Sequence, residues 1–250
     1  MVASLKKSVR WIARRWFGVD LIRHDTFGFN IVDDIARLVP VDRMNVIFDI
    51  GANRGDATIE FAQAFPRAKM YSFEPDQATM SELRRRTNRF QERVKVFNFG
   101  IGAKTESRDL TINRSSGGNS FLDISPDISQ FAEGDWTEPV TKTQAEIQTL
   151  DHFCAVNGIE SIDLLKVDTQ GFEMEVLKGG SLVIVPSRTK LIHIEVLFIE
   201  LYKNQAFFDQ VYQELTNRGF RLVGLYNPFY KTEEPHYLLW CDALFVGKVD

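Results

Sequence analysis

The sequence predicts an α/β fold: a mostly parallel sheet covered by helices on both faces and closed by an antiparallel pair. Three observations carry this. From Met44 onward, short apolar runs alternate with stretches of helical spacing, the pattern of parallel strands joined by crossover helices. The first run leads into a glycine turn that opens a helix, D-I-G-A-N-R-G at 49–55. The last two runs are joined by a polar, proline-containing loop, the mark of an antiparallel pair. The 250 residues can bury a real core, and 44% apolar with 26% charged residues is a globular composition.

The elements follow in order. Residues 1–24 carry Lys6, Lys7, Arg10, Arg14, Arg15 and Arg23 against Asp20 alone, a net +5, which leaves −9 for the other 226 residues. Leu5, Val9, Ile12 and Trp16 recur at helical spacing with the cations mostly on other faces. Residues 1–40 are therefore expected to be a basic amphipathic helical extension. Two roles suit such a helix. Residues 1–18 can lie on an anionic membrane surface through Trp11, Trp16 and Phe17, or pack on the domain with their charges solvated. The acidic remainder argues against nucleic acid as a partner.

A single domain is expected over 41–250. Met44–Ile50 reads as a buried strand and Asp56–Phe65 as a helix. Lys69–Phe73 is a second strand, and Asp76–Phe90 a charged helix with Asp76 as its N-cap. Val94–Phe99, Ile162–Val167 and Leu191–Val196 are further strands, the last two separated by a helix near Phe172–Leu177 that stops at Gly179-Gly180. Asn204–Asn217 reads as a helix closed by Gly219. Arg221–Tyr226 and Cys241–Val246 form the final pair. Residues 103–148 interrupt the alternation as an insertion. Its strand-like stretches, Arg108–Ile112 and Val140–Ile147, flank a Ser/Gly segment at 115–120 that suits either a lid with Gly117 and Gly118 as hinges or an ordinary loop.

Two cysteines, Cys154 and Cys241, exclude a disulfide framework and a four-cysteine zinc site. No apolar run approaches the ~18 residues of a membrane span. No signal-peptide pattern opens the chain. The expected location is the cytoplasm, peripheral to the inner face of the membrane if the N-terminal helix binds lipid.

The glycine turn and the next strand end carry the first functional signal. Glycines there let the backbone approach a ligand at a helix N-terminus. Glu74 ends the second strand 19 residues past Gly55, where a carboxylate can accept both hydroxyls of a ribose. A dinucleotide site requires G-x-G-x-x-G, but Asn53 stands at the second glycine and Asp49 precedes the loop. An acid repels a pyrophosphate and attracts an amino group or a sulfonium, which tilts the reading from a nicotinamide cofactor to S-adenosylmethionine. Simple capping by Asp49 and Glu74 is the alternative.

D-I-G-A-N-R-G, then F-E-P at 73–75, T-L-D at 149–151, I-D-L-L-K-V-D-T-Q-G-F-E at 162–173 and E-V-L-K-G at 175–179 together resemble the FkbM-type methyltransferases, from about Asn45 to Glu195. The resemblance implies the class I, Rossmann-like methyltransferase fold with a seven-stranded sheet, and S-adenosylmethionine as cofactor. It implies O-methylation of a hydroxyl on a sugar, a glycan or glycolipid precursor, or a polyketide-like molecule, in pathways such as polysaccharide biosynthesis. Asp49, Gly51, Ala52, Asn53, Gly55, Glu74 and Pro75 fall on the cofactor motifs. Gln170 departs from the family, which often has Glu there, and a catalytic role at that position is in doubt.

Lys166 and Asp168 share a face of one strand, and His193 and Glu195 share a face of the next. Polar residues in such apolar strands are costly unless paired or used. Open α/β sheets bind ligands beyond their carboxyl strand ends. Asp168 and Glu195 are expected to be the catalytic pair, Lys166 their electrostatic support and His193 a reserve base; an ion-pair network that only orders the sheet is the competing reading. Two carboxylates and a histidine could also hold a divalent cation, but the resemblance calls for no metal and none is expected. The aromatic residues Tyr226, Phe229, Tyr230, His236, Tyr237 and Trp240 suit either stacking on a sugar ring or packing. Two other functions stay open. One is a nicotinamide-dependent oxidoreductase, opposed by the missing glycine pattern. The other is a catalytically inactive binding module for a glycan or lipid, which cofactor binding would separate from an enzyme.

Overall fold

The computed structural model describes residues 11–19, 26–128, 135–231 and 234–247. The apolar runs become the strands β1 (Val46–Ile50), β2 (Lys69–Phe73), β3 (Val94–Phe97), β7 (Ile162–Val167) and β8 (Thr189–Leu197) of a seven-stranded sheet. The final pair, β9 (Phe220–Tyr230) and β10 (Leu238–Gly247), completes it in the order β3-β2-β1-β7-β8-β10-β9. The first five strands of that order are parallel, and β10 runs antiparallel to both β8 and β9. The chain order thus reverses at β1, and crevices at such a point bind ligands in open α/β sheets.

Side-chain alternation splits the core in two. Ile47 of β1, Met70, Leu164 and Leu191 face α2 (Ile31–Leu38) and α3 (Asp56–Ala64), whose Ile35, Phe61 and Ala62 cover them. Phe48, Ile50, Leu165, Val167 and Ile192 face the opposite layer. That layer is α5 (Leu150–Val156), α6 (Glu173–Gly179) and α7 (Phe208–Asn217). The helix α4 (Gln77–Thr87) starts at Asp76, whose carboxylate accepts from Thr79 N at 2.9 Å, as the capping pattern predicts. Pro228 lies inside β9, which is tolerated because β9 is the sheet edge.

The insertion folds as a second sheet of β4 (Gly100–Ile101), β6 (Pro139–Gln148) and β5 (Glu106–Asn113). Its small core of Leu110, Phe121, Ala145 and Ile147 rests on Phe172. The last long helix begins at Phe208, four residues later than its sequence pattern. Asn204 takes a left-handed φ of 61°, and the Gln205 side chain accepts from Leu201 N and Tyr202 N at 2.9 and 2.8 Å. That local turn competes with the helix for the same residues. The helix α5 has no forecast among the predicted elements: it is short, and its cap, Thr149 Oγ1 accepting from His152 N at 3.2 Å, is the T of T-L-D.

The described part of α1, residues 11–17, is helical, with Trp11, Trp16 and Phe17 exposed by 63, 75 and 75%. The forecast stripe residues Leu5 and Val9, and the cations Lys6, Lys7, Arg10 and Arg23, lie outside the described residues. No helix among the described residues is long and apolar enough to cross a membrane.

Candidate active site

The glycine turn is built by backbone bonds before any ligand enters. Gly51 N and Ala52 N both donate to Phe73 O, at 3.1 and 2.9 Å, and Asp168 N donates to Ile50 O at 3.0 Å. Gly51 has a φ of +77°, and a β-carbon there would sit 1.8 Å from Asp168 O. Only glycine lets β1 and the β7 end approach this closely. Gly55, in the left-handed region, is the N-cap of α3.

Behind the turn runs a row of polar side chains on the α3 side of the sheet. Strand register places Ser72, Asp49, Lys166 and His193 side by side. Thr58 of α3 donates from Oγ1 to Asp49 Oδ2 at 2.6 Å and lies 3.0 Å from Ser72 Oγ. Lys166 Nζ lies 3.2 Å from Asp49 Oδ1 and 3.4 Å from Asp168 Oδ2, and donates to Gly51 O at 3.1 Å. Burial opposes the charge on Lys166, but Asp168 and Asp49 hold its ammonium above the ordinary lysine range. Asp49 is fully buried, so it supports the turn from behind and is not part of the cavity wall. His193 packs edge-on to Phe61 with its Nε2 3.2 Å from Asp242 Oδ1. Against burial, the adjacent His193 imidazole keeps Asp242 below the usual carboxylate range.

In front of the turn lies a cavity walled by Gly51, Asn53, Glu74, Pro75, Asp168 and Gln170, and roofed by Ser116, Gly117, Ser120 and Phe121 of the insertion. The Ser/Gly segment is tied down at both ends. Ser116 Oγ donates to Asn53 Oδ1 at 2.7 Å, and Ser120 Oγ to Gln170 O at 2.7 Å. Glu74 Oε2 accepts from Asn53 N and Oε1 from Asp76 N, both at 2.9 Å. Burial nevertheless pushes the Glu74 carboxyl up to about 7. Gly51, Asn53, Glu74 and Pro75 of the sequence-predicted set thus share one wall, with Ala52 buried beneath it. Each Glu74 oxygen keeps a lone pair for a ribose hydroxyl, so the residues fit an adenosine-type ligand.

Asp168 and Glu195 are brought together, but through a third residue. Gln170 Nε2 donates to Asp168 Oδ1 at 2.8 Å and to Glu195 Oε2 at 3.1 Å. Tyr202 donates from its hydroxyl to Gln170 Oε1 at 2.8 Å, which fixes the amide's orientation. Gln170 has a φ of 55°, a strained choice for a side chain of its size. Burial, then Asp168, Glu173 and Asp242, raise the Glu195 carboxyl well above its usual value. Sequence reasoning missed Gln170 and Tyr202 as organisers. Gln170 carried a signal, its place just before Gly171, whereas Tyr202 sits in a turn without any pattern. Among the described residues no group of three His, Cys, Asp or Glu side chains is placed to hold a metal.

The family profile of the methyltransferase FkbM domain matches residues 49–222, and the chain belongs to that family. The 2-O-methyltransferase NoeI of Sinorhizobium fredii (strain NBRC 101917 / NGR234) is 31% identical over 164 residues, 64% of this chain and 66% of that protein. Methyltransferase 1 of Beauveria bassiana is 28% identical over 170 residues, 64% of this chain and 67% of that protein. The chain thus matches about two thirds of the length of these relatives. A solved putative S-adenosylmethionine dependent methyltransferase from Listeria monocytogenes superposes with a TM-score of 0.49 at 8% identity, covering 87% of this chain and 97% of that one.

Glu173 clamps the D-T-Q-G loop: its Oε1 accepts from Thr169 N at 2.7 Å, Thr169 Oγ1 at 3.0 Å and Gly171 N at 3.3 Å. Burial pushes its carboxyl up to about 7 from an ordinary 4.5. Between those values the folded state holds a proton that the unfolded state has released, so stability falls as pH rises through this window. Glu173→Gln keeps the accepting oxygen and removes the ionisation. It is expected to raise stability at pH 8 by about 1–3 kcal/mol and to leave it nearly unchanged at pH 4.5, as read from urea midpoints at the two values.

Proposed function

We propose that the chain transfers a methyl group from S-adenosylmethionine to a hydroxyl of a small-molecule acceptor: a sugar, a glycan or glycolipid precursor, or a polyketide. The observation that carries this reading is one cavity whose lining joins Glu74 and the glycine turn to Asp168 and Gln170. The name of NoeI, a 2-O-methyltransferase, supports a hydroxyl as the target. The cofactor, when bound, supplies a methyl group on a positively charged sulfur, a carbon open to displacement.

The chain's own groups then have distinct tasks. Glu74 accepts the ribose hydroxyls, and Gly51, Asn53 and Pro75 shape the wall beside it. Lys166, paired with Asp49, holds the Gly51 carbonyl in place from behind. Asp168 and Glu195 orient the acceptor hydroxyl and take its proton as the new C–O bond forms. Burial, and after it Asp168, raises the basicity of Glu195, which suits a general base. Lys166 steadies Asp168, and His193 steadies the strand end through Asp242. Residues 115–120 act as a lid whose closed state is latched by Ser116 on Asn53.

Glu74→Ala is expected to weaken cofactor binding by about 1.5–3 kcal/mol, the worth of lost charge-assisted hydrogen bonds. In the natural chain affinity should rise as pH passes upward through about 7, where Glu74 ionises, and the variant should lose that slope. Calorimetry with S-adenosylmethionine at pH 6 and 8 reads both, and an unaltered affinity in the variant removes Glu74 from the ribose site.

Asp168→Asn and Glu195→Gln should each lower turnover by about 10²–10⁴-fold with cofactor affinity nearly constant. If both variants melt normally and turn over at the natural rate, the two carboxylates are structural.

We further infer that the N-terminal region touches an anionic membrane surface. The cationic excess of residues 1–24 and the exposed Trp11, Trp16 and Phe17 support this. The full chain should bind phosphatidylglycerol-containing vesicles in co-sedimentation, less so at high salt. Removing residues 1–18 should abolish binding while cofactor affinity persists. Vesicle binding that survives the truncation would rule the helix out as the contact.

A further inference from the structure

A second cleft lies on the other side of Gln170 from the cofactor cavity. Gly117 and Gln170 line both spaces, so the two meet at the amide that bridges Asp168 and Glu195. The cleft measures about 320 Å³ and is walled by Trp136, Trp240, Leu201 and Glu195 besides those two residues. That is the size of a small-ligand site.

Its walls have a definite chemistry. Trp136 comes from the insertion, in the turn Asp135–Thr137, and Trp240 from β10. Their rings meet edge to face, with centroids 5.6 Å apart and planes at 76°. Phe229 stacks on Trp240 at 4.1 Å and 10°, which fixes the indole from outside. The carboxyl of Glu195 shares the lining with them. None of the described lining residues is a cation. The ammonium of Lys166 is buried behind the strand ends and committed to Asp49, Asp168 and Gly51.

Aromatic rings beside a carboxyl group suit a molecule with an apolar face and hydroxyl edges. A phosphate or carboxylate on that molecule would meet the acidic Glu195 with no cationic side chain among the described lining residues to receive it. We infer that this cleft is the acceptor subsite and that it takes an uncharged pyranose ring, packed against Trp136 and Trp240 with one hydroxyl directed at Glu195. This rests on the methyl-transfer reading above and narrows it: neutral sugar rings are accepted, whereas phosphorylated sugars and uronates are refused at this position. The cleft is assembled only when the insertion, β10 and the loop at Gln170 come together, so its two indoles lie about a hundred residues apart in the chain.

The test is saturation-transfer NMR on the full chain with S-adenosylhomocysteine present. The probes are a panel of neutral methyl pyranosides, with methyl glucuronide and glucose 6-phosphate as charged counterparts. At least one neutral pyranoside should receive saturation from aromatic protons, and the charged sugars should receive none. Trp136→Ala and Trp240→Ala should each weaken that pyranoside tenfold or more, while affinity for S-adenosylhomocysteine stays within twofold. Trp240→Phe keeps a ring on Phe229 and guards against misfolding, with an expected loss of a few fold. Three results would overturn the inference and leave the cofactor reading standing: no neutral pyranoside binds, the charged sugars bind equally well, or folded tryptophan variants bind the pyranoside as the natural chain does. Absence of S-adenosylhomocysteine binding by the natural chain would overturn both.

Discussion

A lysine buried in the middle of a parallel sheet is the constraint on which the rest of this site depends. Lys166 exposes 8% of its side chain, and an ammonium so placed is tolerable only with charged and hydrogen-bonded partners. It has Asp49 on β1, Asp168 at the β7 end and the carbonyl of Gly51. Asp49 in turn needs a donor for its other oxygen, and Thr58 of α3 supplies it while touching Ser72 of β2. One cation therefore ties three strand ends, the glycine turn and α3 into a single arrangement. Removing one partner of such a group costs several kcal/mol, about 3–5 by analogy with other buried pairs. The same act would release the turn that shapes the cofactor cavity.

A second consequence of that arrangement is a sorting of acids. Glu74 and Glu173 satisfy backbone N–H groups, and burial raises their carboxyls as it raises that of Glu195. Asp168 and Glu195 instead share the amide of Gln170. An amide suits this position better than an acid. It gives both carboxylates a donor, adds no charge between them and accepts from Tyr202 on its far side. A third carboxylate there would raise the pKa values of its neighbours by like-charge repulsion. The departure from the family at Gln170 thus has a physical role, orientation of the acid pair, without contact with a reacting atom being required.

Much of the fold was legible in the sequence, and the reason lies in period and spacing. The strands β1, β2, β7 and β8 are near-continuous apolar runs because parallel strands are buried on both faces. Asp76 announced its helix, and the turn from Asp49 to Gly55 announced the ligand crevice. The neighbourhood of Asp49 and Lys166 was not readable, since it depends on the register of two strands more than a hundred residues apart. For the same reason Asp49 was expected to face the ligand, whereas its carboxylate is turned to the α3 side. The start of α7 was misplaced because Gln205 bonds its own loop. Trp136 gave no signal at all: it lies in a turn of the insertion, where no periodicity exists to mark it.

The insertion explains the last family motif. In E-V-L-K-G, Gly179 ends α6 against the root of the insertion, and a β-carbon there would lie 2.0 Å from Gly102 O. Gly102 is equally confined, with Phe172 and Ile147 each 2.9 Å from where its β-carbon would be. Two glycines thus let the helix, the insertion and the loop before α6 approach to backbone contact. That contact sets the height at which β5 and β6 stand over the sheet, and so where the Ser/Gly segment falls. From there Ser116 reaches Asn53 beside the cofactor cavity, and Ser120 reaches the carbonyl of Gln170 between the two spaces. The same segment reaches Trp136 through Gly118, whose β-carbon would strike the Trp136 carbonyl at 1.8 Å. A substitution at either root glycine, far from any reacting atom, would therefore displace both walls at once. Positioning to within an ångström governs a displacement reaction, so motifs at the root of the insertion and at the strand ends serve the same geometry.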